Sequence, residues 1–154
     1  MTDSQEIVEV LNELLRLEQA SLPGRLMQST MFVSRLTVAD AKVVEDMARA
    51  GEAHAAQLAE AVIQLDGVSG PRITDTRWAN LHYQDVRNLL PDLVTDRETL
   101  VQKYARALNH VGDEPDVAQL LTNIHARHEG ELATLRQRLG QGGGQNVAAG
   151  LGST

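Results

Sequence analysis

The chain has 154 residues, a formal net charge of −7 and no cysteine. This length supports one domain with its own hydrophobic core, and the lack of cysteine excludes disulfides, thiolate metal sites and cysteine nucleophiles. The acidic balance argues against a general binder of nucleic acid or of anionic membranes. Five histidines outnumber the four aromatic residues, and this surplus of imidazole needs an explanation.

The first helical segment is predicted from about Asp3 to Arg35, because apolar residues recur there with the period of an α-helix. Its apolar stripe is interrupted once, by Glu18. Pro23–Gly24 lies in the middle of the segment and predicts a kink or an interruption, since proline lacks the backbone N–H and clashes with the preceding turn.

The second helical segment is predicted from about Thr37 to Leu65, with Asp66–Gly67 as its stop signal. His54 interrupts its apolar stripe. The residues from Gly67 to Leu81 predict an extended connection, which is too long for a tight turn. A short helix is predicted after it, from about Asn80 to Leu90, before the next proline.

The third helical segment is predicted from about Thr95, or slightly earlier, to Val111, and Glu98 interrupts its stripe. A turn over Gly112–Pro115 leads into the fourth segment, which is predicted to end near Leu139. Two histidines interrupt the fourth stripe, His125 and His128.

Four such helices with two short turns form two antiparallel hairpins, and the long middle connection lets the second hairpin run back along the first. The predicted fold class is therefore an all-α four-helix bundle with one long crossover. Tyr104 is predicted to pack in the core and to form a hydrogen bond across the bundle. Trp78 and Tyr83 are predicted to pack over the bundle or at a subunit interface, and His82 and His110 to lie at the surface.

The polar interruptions fall at matching heights in this bundle. The midpoint of Glu18 and His54 is position 36, in the predicted first turn, and the midpoint of Glu98 and His128 is position 113, in the predicted second turn. His125 and His128 are three residues apart, so they lie on one helical face. Burying these groups without partners would cost several kcal/mol, and a set of carboxylates and imidazoles suits iron, manganese or zinc.

Three segments carry a resemblance to a known family. Leu11–Ala20 is similar to the first helix of bacterioferritin-like proteins, and Val43–Leu58 resembles their second helix, with His54 at the histidine of a Glu-x-x-His motif. Ile124–Glu129 resembles the fourth-helix motif, with His128 at its histidine. Over about residues 5–139 the chain thus resembles the ferritin-like superfamily, which includes bacterioferritins, rubrerythrins and small di-iron carboxylate proteins. The resemblance implies a ferritin-like four-helix bundle with a metal site formed by Glu18, His54, Glu98, His125 and His128.

The sequence also departs from the family pattern. Gly51 and His125 stand where the pattern has a glutamate three residues before each motif histidine, and Glu52 lies about 100° around the helix from Gly51. Arg25 stands where relatives often have tyrosine, and this cation would oppose a metal or pair with Glu18. Because both motif substitutions remove negative charge, they argue against an ordinary di-iron centre. One bound metal, two weakly bound metals and none all remain open.

Two functional interpretations follow. In the first, the chain is a ferritin-like protein whose atypical, histidine-rich site binds iron, or else manganese or zinc, and acts in ferroxidase-like oxidation of ferrous iron or in oxygen or peroxide handling. The missing side chain at Gly51 would then leave an open coordination position. In the second, the bundle has lost its metal and serves as a structural or protein-interaction module. Each candidate ligand then has a structural role. Glu18 forms a buried ion pair, His54 forms a hydrogen bond in the core, and Glu98 is a favourable negative charge at the start of a helix. His125 and His128 lie on a solvated helix face.

The segment Gly140–Thr154 carries no charge and holds six of the twelve glycines, so residues 1–139 are predicted to form the bundle and residues 140–154 a flexible tail. A minor alternative is that this tail docks the chain to the shell protein of a bacterial nanocompartment. The N-terminus has no signal-peptide pattern, and no apolar run suits a membrane span. We therefore expect a cytoplasmic protein without membrane or nucleic-acid partners, and a homodimer or higher homo-oligomer.

Overall fold

The computed structural model describes residues 3–27, 38–70, 89–112 and 114–152 of the chain, and it describes no side chain at 38 or at 141–152. Within these ranges α-helices are the only regular secondary structure, joined by short non-helical segments. The helices are α1 (Ser4–Gln19), α2 (Leu22–Met27), α3 (Val38–Gln64), α4 (Leu89–Leu108) and α5 (Pro115–Gly152). Trp78, His82, Tyr83, the predicted turns at 36 and 113 and most of the short helix predicted over 80–90 lie outside the described residues.

The interruption predicted in the first segment lies just before its proline. α1 ends at Gln19 and α2 begins at Leu22, so Pro23 falls in the first turn of α2, where its missing N–H breaks no helical hydrogen bond. The backbone N–H of Leu22 instead donates to Asp96 Oδ1 at 3.2 Å. The break in the helix is therefore held by a side chain of α4.

The C-terminal end of α3 and the start of α5 lie where the stop and start residues of the sequence predict them. α3 ends at Gln64, and Asp66 follows in the left-handed region with φ of 58°, as expected for a helix stop. Pro115 is the first residue of α5, where its fixed φ favours helix initiation. α4 begins at Leu89, earlier than the start predicted near Thr95. Pro91 lies within its first turn and does not mark the end of a separate helix, as the sequence had suggested.

The core is divided into two apolar layers. The first layer joins residues of all four long helices and includes Leu17, Leu58, Leu100 and Ile124. The second layer joins α2, α3, α4 and α5 and includes Leu22, Met47, Val94 and Leu132. The order of these residues along each helix makes α1 antiparallel to α3 and α4 antiparallel to α5, as expected for two hairpins joined by a crossover.

In each of the four long helices, one inward-facing polar side chain lies between the two apolar layers. Glu18 follows Leu17, His54 precedes Leu58, and Arg97 lies between Val94 and Leu100. His128 lies midway between Ile124 and Leu132. The bundle thus places one polar layer at its centre.

The helix α5 continues to Gly152, beyond the end predicted near Leu139. The last buried apolar residue on α5 is Leu135 among those whose side chains are described. The flexible-tail assignment for residues 140–154 stays a prediction. Over the described part of the chain, no helix combines the length and apolarity needed to cross a bilayer.

Candidate metal centre

Glu18 is the junction of the central polar layer. It is only 4% exposed, and its Oε1 atom accepts hydrogen bonds from the Tyr104 hydroxyl at 2.7 Å and from His128 Nε2 at 2.6 Å. Burial alone would raise the pKa of Glu18, but the hydrogen bonds and the charge of His128 outweigh it and lower that pKa. The carboxylate is therefore held ionised inside the bundle. The predicted cross-bundle hydrogen bond of Tyr104 is confirmed.

His128 lies between two carboxylates. Its Nε2 faces Glu18, and its Nδ1 lies 2.9 Å from Glu131 Oε1. Burial would lower the pKa of His128, yet the hydrogen bonds to Glu131 and Glu18 prevail and raise it. Without a metal, the geometry suits an imidazolium that donates to both carboxylates.

Arg97 supplies the permanent positive charge of the layer. Its guanidinium is 1% exposed and donates to Asp96 Oδ2 through Nε at 3.2 Å and Nη2 at 2.7 Å. Its Nη1 lies 3.2 Å from His128 Nδ1 and 3.6 Å from Glu131 Oε2. Burial would lower the pKa of Arg97, but the carboxylates of Asp96 and Glu131 raise it, so this group keeps its proton.

His54 is the unpaired member of the layer. Its ring is 5.2 Å from the ring of His128 in an edge-on arrangement. Among the described residues, neither of its buried ring nitrogens has a hydrogen-bond partner, and the same is true of Glu18 Oε2 and Glu131 Oε2. Burial lowers the pKa of His54, so its imidazole is neutral and offers a lone pair. An unsatisfied buried polar group costs about 1–3 kcal/mol, and a bound cation would remove this cost.

Three of these side chains have metal-ligand spacing. Donor atoms of His54, His128 and Glu131 all lie within 4.8 Å of one another. Two imidazoles and one carboxylate form a ligand set that suits ferrous iron with open coordination positions. Glu18 binds the far nitrogen of His128, as the outer carboxylate of a carboxylate–histidine–metal arrangement does.

The structure places the five predicted ligands in two groups. Glu18, His54 and His128 lie together in the polar layer, at the matching heights that the sequence predicts. Glu98 instead points to the surface, where Arg136 Nη2 donates to its Oε1 at 3.2 Å. His125 is partly exposed, and its Nδ1 contacts Glu129 at 2.9 Å. These last two residues are therefore not brought into the cluster.

The residues that replace them in the layer were not predicted from the sequence. Arg97 lies one position before Glu98, and Glu131 lies three positions after His128. Both follow the helical spacing of their buried neighbours, Arg97 with Leu93 and Leu100, and Glu131 with Ile124 and Leu135. The helical spacing thus marked both positions as inward-facing. Neither was predicted to be buried, because charged residues beside an apolar stripe are usually solvated.

The donor set fits one metal ion and does not fit a pair. On α4 the buried polar side chains are Arg97 and the Asp96 carboxylate that pairs with it, so the described part of α4 offers no free buried carboxylate to a second metal. Gly51 offers no ligand on α3, although a Cβ built there would lie 3.6 Å from Glu18 Oε2. Among the described residues, the guanidinium buried in this layer belongs to Arg97, whereas the sequence predicts that Arg25 opposes a metal. With two carboxylates already paired to Arg97, the charge needed to bind two divalent ions is missing.

The fold is similar to that of a solved protein described as a ferritin-like, di-iron-carboxylate protein from Bacillus anthracis str. Ames. The two chains are 19% identical and superpose with a TM-score of 0.71, and the match covers 90% of this chain and 99% of that chain. No protein-family model and no curated protein matches the sequence. The chain therefore has the ferritin-like helical-bundle fold, and the predicted fold class is confirmed.

Proposed function

We propose that the protein binds a single ferrous iron ion through His54, His128 and Glu131. The observation that carries this proposal is His54, a half-buried and neutral imidazole whose two ring nitrogens are buried without a hydrogen-bond partner among the described residues. It lies with His128 and Glu131 at ligand spacing. The ferritin-like fold and the description of the similar Bacillus anthracis protein favour iron, and manganese or zinc are the competing ions for the same donors.

The chain's own residues prepare this site. Glu18 accepts from His128 Nε2, which orients the ring and leaves Nδ1 on the side of Glu131. Tyr104 donates to the same oxygen of Glu18 and keeps that carboxylate in place. When bound, ferrous iron supplies electrons and open coordination positions for oxygen or peroxide chemistry.

A metal titration with one informative variant tests the proposal. The purified protein is titrated anaerobically with ferrous iron, and bound iron is counted by elemental analysis after desalting. His54→Ala should abolish binding, and because His54 has no hydrogen bond to lose, the variant should remain folded. His110→Ala is the matched control, since His110 is exposed, and it should bind like the unmodified chain. Equal iron binding by His54→Ala and the unmodified chain would refute this site.

A second candidate is supported by the buried guanidinium. Arg97 already pairs with Asp96 and Glu131, so the polar layer contains a cation of its own, and the bundle can be a metal-free interaction module. In that case ferrous iron, manganese and zinc would all leave the melting temperature unchanged. A protein that binds metal only when folded is instead stabilised by about 2.7 kcal/mol at one hundred times the dissociation constant. Light scattering of the same samples tests the predicted homodimer.

A further inference from the structure

We infer that Arg97 sets the metal stoichiometry of the site by acting as a built-in second cation, so that one divalent ion binds where the fold would otherwise accept two. This inference rests on the proposed function. It assigns Arg97 a positioning and charge-balancing role, because its guanidinium touches the ligands and not the reacting atoms.

The contacts of Arg97 place its charge within the ligand set. Nη1 is 3.2 Å from His128 Nδ1 and 3.6 Å from Glu131 Oε2, two of the proposed ligand groups. The other edge of the guanidinium donates to Asp96, through two hydrogen bonds from Nε and Nη2 to Oδ2. Asp96 in turn accepts from the backbone N–H of Leu22, so the guanidinium is anchored to α2 as well as to the proposed ligands.

The charges of the layer balance with one divalent ion. Glu18, Asp96 and Glu131 carry three negative charges, and Arg97 carries one positive charge. With neutral imidazoles, one divalent ion brings the buried layer to neutrality. A second would leave two uncompensated positive charges in a medium of low polarity, which is strongly unfavourable.

The layer has room for the carboxylate that two ions would need. A Cβ at Gly51 would meet only Glu18 Oε2, at the ordinary contact distance of 3.6 Å. Gly51 and Glu18 also line a cleft of about 420 Å³ between α1, α2 and α3. A longer side chain at position 51 would therefore start beside Glu18 with this cleft to enter. The number of bound ions is then limited by the positive charge of Arg97 and by the missing carboxylate at position 51, and not by the space in the layer.

The test counts ferrous ions per folded chain by native mass spectrometry under anaerobic conditions. The unmodified chain should bind one ion. Gly51→Glu/Arg97→Gln gives the layer four carboxylates and no guanidinium, so it should bind two. Asp96→Asn/Arg97→Gln removes one charge of each sign and leaves the balance unchanged, so this control should still bind one. Should the first variant fail to fold, Gly51→Asp/Arg97→Gln carries the same charge on a shorter side chain.

The outcomes separate the inference from the proposed function. One ion in Gly51→Glu/Arg97→Gln, with one in the unmodified chain, would overturn the role of Arg97. Two ions in Asp96→Asn/Arg97→Gln would also overturn it, because the volume of the guanidinium and not its charge would then be limiting. No ion in the unmodified chain would overturn the proposed function itself, whatever the variants bind.

Discussion

Glu18 and His128 are 110 positions apart in the chain and are joined by a 2.6 Å hydrogen bond between Oε1 and Nε2, with both side chains fully buried. Tyr104 donates to the same oxygen at 2.7 Å. A single carboxylate oxygen on α1 thus connects α1 to α5 and to α4. The two hairpins of the bundle are held together at mid-height by polar contacts as well as by the apolar layers on either side.

Removing the Tyr104 hydroxyl should weaken this junction without creating a large cavity. We expect Tyr104→Phe to lower the free energy of unfolding of the metal-free protein by about 1.5–3 kcal/mol, the usual range for a hydrogen bond to a charged group. Urea unfolding followed by circular dichroism measures the change. Thr122→Ala is a suitable control, because its exposed hydroxyl bonds only to a backbone carbonyl of its own helix. A loss for Tyr104→Phe no larger than that of the control would contradict the proposed strength of the junction.

The heights of the polar residues could be predicted from the sequence, because a hairpin reflects positions about its turn. Glu18 and His54 do lie in one layer, and so do His128 and a residue of α4. The rotation about each helix axis was harder to predict. One residue step turns a side chain by about 100°, and the reflection cannot distinguish Glu98 from Arg97. Packing against Leu93 and Leu100 turns Arg97 inward and leaves Glu98 at the surface.

The chemistry of the layer was also only partly predictable. A charged residue inside an apolar stripe is costly unless it is paired, so Arg97 becomes a plausible core residue only once Asp96 and Glu131 are known to face it. Those contacts join residues on two helices, and no local pattern reports them. The glycine at position 51 and the histidine at position 125, in contrast, were visible as departures from the family pattern.

The Arg97–Asp96 pair should behave as a coupled unit. Arg97→Met leaves Asp96 and Glu131 buried without their cation, and we expect a loss of about 3–5 kcal/mol in the metal-free protein. Asp96→Asn/Arg97→Met removes both charges and should be less destabilised than Arg97→Met alone. Chemical unfolding of the single and double variants gives the coupling energy. Additive losses would mean that the two side chains stabilise the bundle independently.

The free energy of unfolding of the metal-free protein should depend on pH through two opposing limbs, one acid and one alkaline. The lowered pKa of Glu18 contributes stability above its ordinary value of 4.5 that is lost as the pH falls. The raised pKa of His128 contributes stability below its ordinary value of 6.5 that is lost as the pH rises through the folded pKa. The contribution of this pair should therefore be greatest between about pH 4.5 and 6.5.

The two limbs can be assigned by substitution. The measurement uses His54→Ala as the background, because the lowered pKa of His54 adds an opposite trend below pH 6.5. Urea midpoints are recorded from acid to alkaline pH. Adding His128→Gln should flatten the alkaline limb, and adding Glu18→Gln should flatten the acid limb. An alkaline limb that persists in His128→Gln would assign it to another group.

Deleting residues 140–154 should leave the bundle intact. The last described apolar contacts of α5 with the core come from Leu132 and Leu135. Each glycine in a helix costs about 0.5–1 kcal/mol relative to alanine, so we expect the glycine-rich end to add little to the stability of the bundle. We expect the free energy of unfolding of the truncated chain to lie within about 0.5 kcal/mol of that of the full chain. Leu135→Ala should in contrast cost about 2–5 kcal/mol, since Leu135 is fully buried. A truncation as costly as Leu135→Ala would place residues 140–154 within the folded domain and contradict the boundary at Leu139.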